Sequence, residues 1–400
     1  MMSTNHPMPE FDSALRARCR EAALRGAGYI RQQQVWHTWP FWTADAGRIA
    51  HNISTTNPTF RPTLSLTWDC ARSAQALLSV HRLTGDATAL ETAQRAMEYP
   101  KVTQIFSPEF PQHRGAFCEE VPQSNHIAAR DCIEALQGFL NLYAVTGDAA
   151  CLLRAEAAAD WLADHYMTER GGWPHLCIFH RDGDRLFKLN DFTRIIMAAV
   201  ALPFAQMDAI RGRVHYTAKI PMAMDWAIGT VLQADGSLRL TDGTKVGHHA
   251  AKSGPLAGCF TNDDGLGVAL IACWRATGDE KYRAAALTYG AWWLGTTVMP
   301  ETYSALPSAM LFFLDLYRLT GDARYLRKTE VYAEKVLALQ VDNATNPRLH
   351  GGFVGHDGEA DIVPTDFISL RTTMYAMMAL CKMAATEEAQ WNMAYSAFGW

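Results

Sequence analysis

The chain has 400 residues, 49% of them hydrophobic and 19% charged, enough apolar material for one large core. Its formal net charge of −5 offers no basic footprint for nucleic acid or an anionic membrane, and no window of 18 uninterrupted apolar residues marks a membrane span. The start, MMSTNHPMPEFD, lacks the basic and apolar regions of an export signal, and the nine cysteines are scattered without a C-x-x-C pair, so a reducing cytoplasm is expected.

Helical patterning fills the chain. An amphipathic helix is predicted over about 11–34, and further outer helices near 87–99, 149–166, 213–229, 280–296 and 323–340. They resemble LLRAEAAADWLADHY, with Arg, Glu and Asp on one face. Between them fall helices apolar on nearly every side, near 65–83, 124–145, 190–207, 263–276, 303–319 and 366–384, as in SALPSAMLFFLDLY. A helix apolar all round is buried between layers. Thr84-Gly85-Asp86, Thr146-Gly147-Asp148, Thr277-Gly278-Asp279 and Thr320-Gly321-Asp322 each end an inner helix and start an outer one. A Gly closes the first helix and an Asp caps the next, which makes an antiparallel hairpin. The first two phrases are 62 residues apart and the next is 131 further on, about two such units. Six hairpins result. The expected fold is all-α, an inner ring of six helices within an outer ring, closed as one domain over residues 1–400.

The returns from outer to inner helices are long and share a phrase: Arg114-Gly115-Ala116-Phe117, Arg170-Gly171-Gly172-Trp173 and His350-Gly351-Gly352-Phe353. Long loops in a compact fold are usually functional. The expected pocket therefore lies at the N-terminal end of the inner helices, where helix dipoles also favour an anion. Near that rim stand Trp68, Asp69, His126, Arg130, Asp131, Asp191, Arg194, Asp263, Asp264, Asp366 and Arg371, with Glu119 and His356 on adjoining loops. Helix capping accounts for one acid at each start, and Asp69–Arg72 and Asp191–Arg194 also have ordinary i,i+3 spacing. It accounts less well for Arg130, Arg194 and Arg371 on buried helices, where a charge needs a partner or a ligand. Paired carboxylates suit glycoside cleavage, and a guanidinium fork suits a substrate carboxylate. Trp68, Phe117, Trp173 and Phe353 are candidates for stacking on sugars, weighed against plain core packing. The histidines show no metal-ligand spacing, so neither metal nor cofactor is expected. G-x-S-x-G, the phosphate-binding loop and the dinucleotide fingerprint are all missing.

With its Thr-Gly-Asp hairpins and apolar inner helices, the chain resembles the (α/α)6-barrel carbohydrate enzymes, or six-hairpin glycosidases. The Gly-Gly-aromatic loops, the rim aspartates and their neighbouring arginines look most like uronate-acting members, the unsaturated glucuronyl and rhamnogalacturonyl hydrolases and related glucuronidases. That resemblance implies an Asp that protonates the substrate while water adds, without metal. Carried over by position, it makes Asp191 and Asp264 the acid and base, with Asp263 beside them. It also implies substrate contacts from Trp68, Asp69, Glu119, His126, Arg130, Asp131, Trp173, Arg194, His356, Asp366 and Arg371. The Asp263-Asp264 pair is similar to the tandem aspartates of barrel-type α-mannanases, although Gly265 stands where a bulkier residue is common. The expected substrate is a short uronate-containing oligosaccharide, with no nucleic acid or membrane partner and no oligomeric state fixed. The alternatives are a sugar epimerase using His126 and His356, a lyase using Tyr303, an isoprenoid-processing toroid (disfavoured by the absence of D-x-D-D), and a binding protein.

Overall fold

The computed structural model describes residues 6–36, 45–57, 59, 61–119, 121–122, 124–165, 167, 171–173, 176–186, 198–239, 265–296, 304–343, 345–355 and 366–399. The outer helices are α1 (Ser13–Gln33), α3 (Ala87–Ala96), α5 (Ala149–Asp160), α7 (Ile220–Val231), α9 (Glu280–Gly295) and α11 (Ala323–Ala338). The inner helices are α2 (Thr67–Thr84), α4 (Ala129–Thr146), α6 (Ala201–Arg211), α8 (Leu266–Thr277), α10 (Ala305–Thr320) and α12 (Leu370–Ala384). Each inner helix packs on the next and α12 packs on α2, so the inner ring closes. In the outer ring α1 meets both α3 and α11. The structure is an (α/α)6 toroid, and no described helix is long and apolar enough to cross a membrane.

The four Thr-Gly-Asp turns are built alike. In the first, Thr84 Oγ1 donates to the Val80 carbonyl at 2.7 Å and accepts the Asp86 N–H at 3.2 Å. Gly85 takes the left-handed conformation, with φ at 76°, and the Asp86 carboxylate accepts the Thr88 N–H at 2.9 Å. Thr146–Asp148, Thr277–Asp279 and Thr320–Asp322 repeat these bonds within a tenth of an ångström. The turn after α6 differs. There Asp208 accepts the N–H groups of His215, Tyr216 and Thr217, which is why no Thr-Gly-Asp phrase marks that hairpin.

The glycine loops are joints between hairpins. A Cβ on Gly115, whose φ is 98°, would lie 2.0 Å from the Ala157 carbonyl oxygen of the next outer helix. Gly47, Gly171, Gly236 and Gly351 meet Arg95, Met222, Thr288 and Arg25 in the same way. A glutamine after the outer helix (for α3, after the short helix Glu98–Thr103 that follows it) locks several of these joints. Gln104 Nε2 donates to the carbonyls of Gly115 and Arg154, Gln34 to Gly47 and Thr92, and Gln340 to Gly351 and Ala22. The aromatic that follows the glycine points into the core. Phe117, Trp173 and Phe353 are fully buried, and the Trp173 indole N–H donates to the Leu162 carbonyl at 2.6 Å. The expectation that Trp173 stacks on substrate is thus corrected, because close approach of neighbouring helices, not ligand binding, selects the phrase.

Short strands trim the rim. β1 (Asn52–Ser54) pairs antiparallel with β5 (Phe367–Ser369) and joins the first and last hairpins. β2 (His126–Ala128) pairs with β3 (Leu176–Ile178), which pairs with β4 (Arg185–Leu186). At the turn end the chain finishes in α13 (Glu388–Met393) and a buried tail. That tail is held by Lys382, Asp315 and Arg275 from three inner helices. All eight described cysteines are buried.

Candidate active site

The first turns of α2, α4 and α12 converge at the rim. Asp69 uses one oxygen for its own helix, accepting the Leu66 N–H at 3.0 Å, and turns the other toward His51 Nε2 at 3.4 Å. His51 precedes β1, and its carbonyl accepts the Leu370 N–H, which ties it to the start of α12. Asp131 behaves differently. In the first turn of α4 it would cap its own helix, yet its Oδ1 accepts the Trp68 N–H of α2 at 3.0 Å. It is a cross-helix acceptor as well as a first-turn acid.

Asp131 is almost wholly buried, and burial pushes its pKa well above the ordinary carboxyl value. The nearby Glu119 charge adds to the rise, whereas the Trp68 N–H and Arg130 oppose it. Desolvation therefore leads, and the carboxyl is biased toward holding a proton. Over the Trp68 ring lie two guanidiniums, Arg130 at 3.8 Å from the centroid and Arg371 at 5.5 Å. Both are planar forks suited to a carboxylate and content to stack on an aromatic face.

One helical turn deeper is a second layer. Arg72 donates to Glu134 at 2.5 Å and to Gln75 at 2.9 Å, with its guanidinium 4.2 Å from the Tyr395 ring and 5.6 Å from Tyr375. Arg72 is thus partnered by Glu134 rather than by Asp69, which corrects the i,i+3 expectation. Tyr395 comes from the C-terminal tail. Its hydroxyl occupies the space where a Gly265 side chain would begin, 2.3 Å from an ideal Cβ. Gly265 is small at this position because the tail fills it.

The structure brings together Trp68, Asp69, Arg130, Asp131 and Arg371, with Glu119 within electrostatic reach of Asp131. His126 is half-buried in β2, and Asp366, also half-buried, accepts the Thr55 N–H through its carbonyl before β5. Asp191, Arg194, Asp263, Asp264 and His356 lie outside the described residues, as does Tyr303. His51, Arg72, Glu134, Tyr375 and Tyr395 were not singled out as site residues from sequence. A cavity of about 520 Å³ is lined by Phe106, Phe110, Asn125 and Phe179 among others, and by none of the clustered residues.

No protein-family model matches the sequence, and no curated protein matches it. Solved structures do. An unsaturated glucuronyl hydrolase specific for heparin superposes with a TM-score of 0.68 at 14% identity, over 92% of this chain and 97% of that one. The cellobiose 2-epimerase of Bacillus thermoamylovorans gives 0.66 at 11% identity, over 92% and 98%. A family 76 α-mannanase from Bacteroides thetaiotaomicron gives 0.62 at 14%, over 92% and 95%. The fold of this chain is the one these structures share. These neighbours are hydrolases and an epimerase of carbohydrates, and at such identity the likeness to this six-hairpin chain is one of fold.

Proposed function

We propose that the protein is a sugar-acting enzyme that removes a terminal glucuronyl or unsaturated uronyl residue from a short oligosaccharide in the cytoplasm. The observation that carries this reading is Asp131, a buried carboxyl biased toward its protonated form, set beside two arginines stacked on Trp68. The arginines supply the charge and geometry that a uronate carboxylate needs. Asp131 supplies the proton, and a second carboxylate activates water. Asp69 is the described candidate for that second role. Asp191, Asp264 and Asp263 stay in the proposal as the carboxylates to which the resemblance points.

The test is a screen of purified protein against nitrophenyl glycosides and unsaturated uronyl disaccharides. Loss of the C4=C5 chromophore, or nitrophenol release from a glucuronide, supports the reading. Turnover of neutral glycosides alone overturns the uronate part. Substituting Asp131, Asp69, Asp191 and Asp264 each to Asn then ranks the acids, since true acid–base groups lose turnover by about 10²–10⁴.

A second reading, a sugar epimerase, is favoured by one observation. His51 sits against Asp69 at the mouth, a histidine–carboxylate pair fit to move a proton at a sugar carbon. Sugar NMR in deuterated water separates the two readings, because epimerisation incorporates deuterium without cleavage.

A further inference from the structure

Outside the carboxylate cluster, three metal-ligating side chains from three elements meet on the rim. His113 closes the turn Pro111–His113, Cys177 lies in β3, and Asp184 stands just before β4. Their ligand atoms all lie within 4.8 Å of one another, and His113 Nε2 is 3.1 Å from Asp184 Oδ1. Four tetrahedral ligands around one zinc-sized ion stand about 3.3–3.8 Å apart, so shifts of less than an ångström convert this arrangement into a coordination sphere.

The surroundings suit an ion. The His113 and Cys177 side chains are buried, whereas Asp184 is 21% exposed and gives an approach from solvent. The Phe179 ring packs 5.1 Å from His113 and 4.8 Å from Phe110. A dication bound by one thiolate, one carboxylate and a neutral imidazole makes a group of zero net charge, the least costly way to bury those ionisable groups. A mixed sulfur, nitrogen and oxygen donor set selects zinc-class ions over magnesium or calcium.

We propose that His113, Cys177 and Asp184 form a binding site for a zinc-class divalent metal. On binding, the Cys177 thiol releases its proton to solvent and the thiolate binds the ion. The site clamps the β3–β4 hairpin to the 111–118 loop. Because β4 ends at Leu186, five residues before Asp191, the clamp fixes the strand that feeds the third inner helix. This departs from the sequence expectation of no metal, and it is independent of the uronate reading.

The test uses the full chain, purified without a histidine tag, stripped with chelator and titrated with cobalt(II). The expected result is one equivalent bound, with a sulfur-to-cobalt charge-transfer band in the near ultraviolet and ligand-field bands in the visible. Zinc should displace the cobalt and raise Tm. Cys177→Ser should abolish the near-ultraviolet band, and His113→Ala and Asp184→Asn should each weaken binding at least about tenfold. No band in the wild-type chain, or a band that survives Cys177→Ser, overturns the proposal. If circular dichroism shows the Cys177 or His113 variants to be unfolded, the partly exposed Asp184→Asn decides, since unchanged cobalt affinity there also overturns it.

Discussion

The Trp68 N–H donates to the Asp131 carboxylate at 3.0 Å, so the first turn of one inner helix is satisfied by an acid from the next. This bond holds a buried carboxyl at the rim, where its raised pKa has a thermodynamic consequence. Below the ordinary Asp value of 3.8 both folded and unfolded chains carry the proton. Above it the unfolded chain ionises while the folded chain keeps its proton, so stability falls as pH rises toward the folded value. Asp131→Asn keeps an oxygen for the Trp68 N–H and removes that slope. The Tm of the variant relative to wild type should climb as the pH rises above the ordinary Asp value, while turnover drops by about 10²–10⁴. Parallel pH dependence in the two proteins would show that Asp131 is not a proton-holding acid.

The two guanidiniums over Trp68 predict a substrate-selective effect. Arg371→Lys keeps the charge but loses the planar fork. The KM for a uronide should rise about tenfold, roughly 1.4 kcal/mol, with kcat changed far less. A neutral glycoside should be unaffected. Equal losses on both substrates would mean that Arg371 only supports the Trp68 ring.

Much of this site is legible as spacing. Trp68 and Arg72, Arg130 and Glu134, and Arg371 and Tyr375 are each four residues apart, so three inner helices place one residue in the upper cluster and one in the layer beneath. Reading Asp69 against Arg72 hid this, because the i,i+3 pair within one helix looked sufficient. The fold was legible for a similar reason, since Thr, Gly and Asp each have a bonding role in the turn. His51 and Tyr395 carried no such signal. One lies in a loop outside the repeat, and the other in a tail whose packing only the closed ring defines. The glycine loops misled in the opposite direction, because a repeated Gly-aromatic phrase looks the same whether it faces a ligand or a neighbouring helix.

That distinction is open to a stability comparison. Gly85 and Gly115 both have positive φ, but a Cβ meets nothing within 4 Å at Gly85 and a backbone carbonyl at 2.0 Å at Gly115. Gly85→Ala should cost only the left-handed backbone term, about 1–2 kcal/mol. Gly115→Ala must also push the 114–117 loop away from α5, so its loss in chemical denaturation should be clearly larger. Similar losses would mean that the joint yields easily and that the loop phrase has some other cause.

The tail prediction concerns Lys382 and Asp315, a fully buried ion pair at 2.5 Å. Asp315 also accepts the Ala397 N–H at 2.7 Å and the Ser396 hydroxyl at 3.0 Å, while Lys382 donates to the Tyr395 carbonyl at 3.3 Å. Lys382→Met leaves a buried carboxylate without its cation, which typically costs about 3–5 kcal/mol. The cost should be relieved by releasing the tail, because the Ser396 and Ala397 donors help to keep Asp315 dry. Tyr395, the only non-glycine among the described residues with positive φ, would then leave Arg72 and Gly265. The variant should therefore show rapid amide exchange and proteolytic clipping after residue 385, well before the six hairpins unfold. A variant that loses stability globally, with the tail still protected, would mean that the pair is simply part of the core and does not latch the tail.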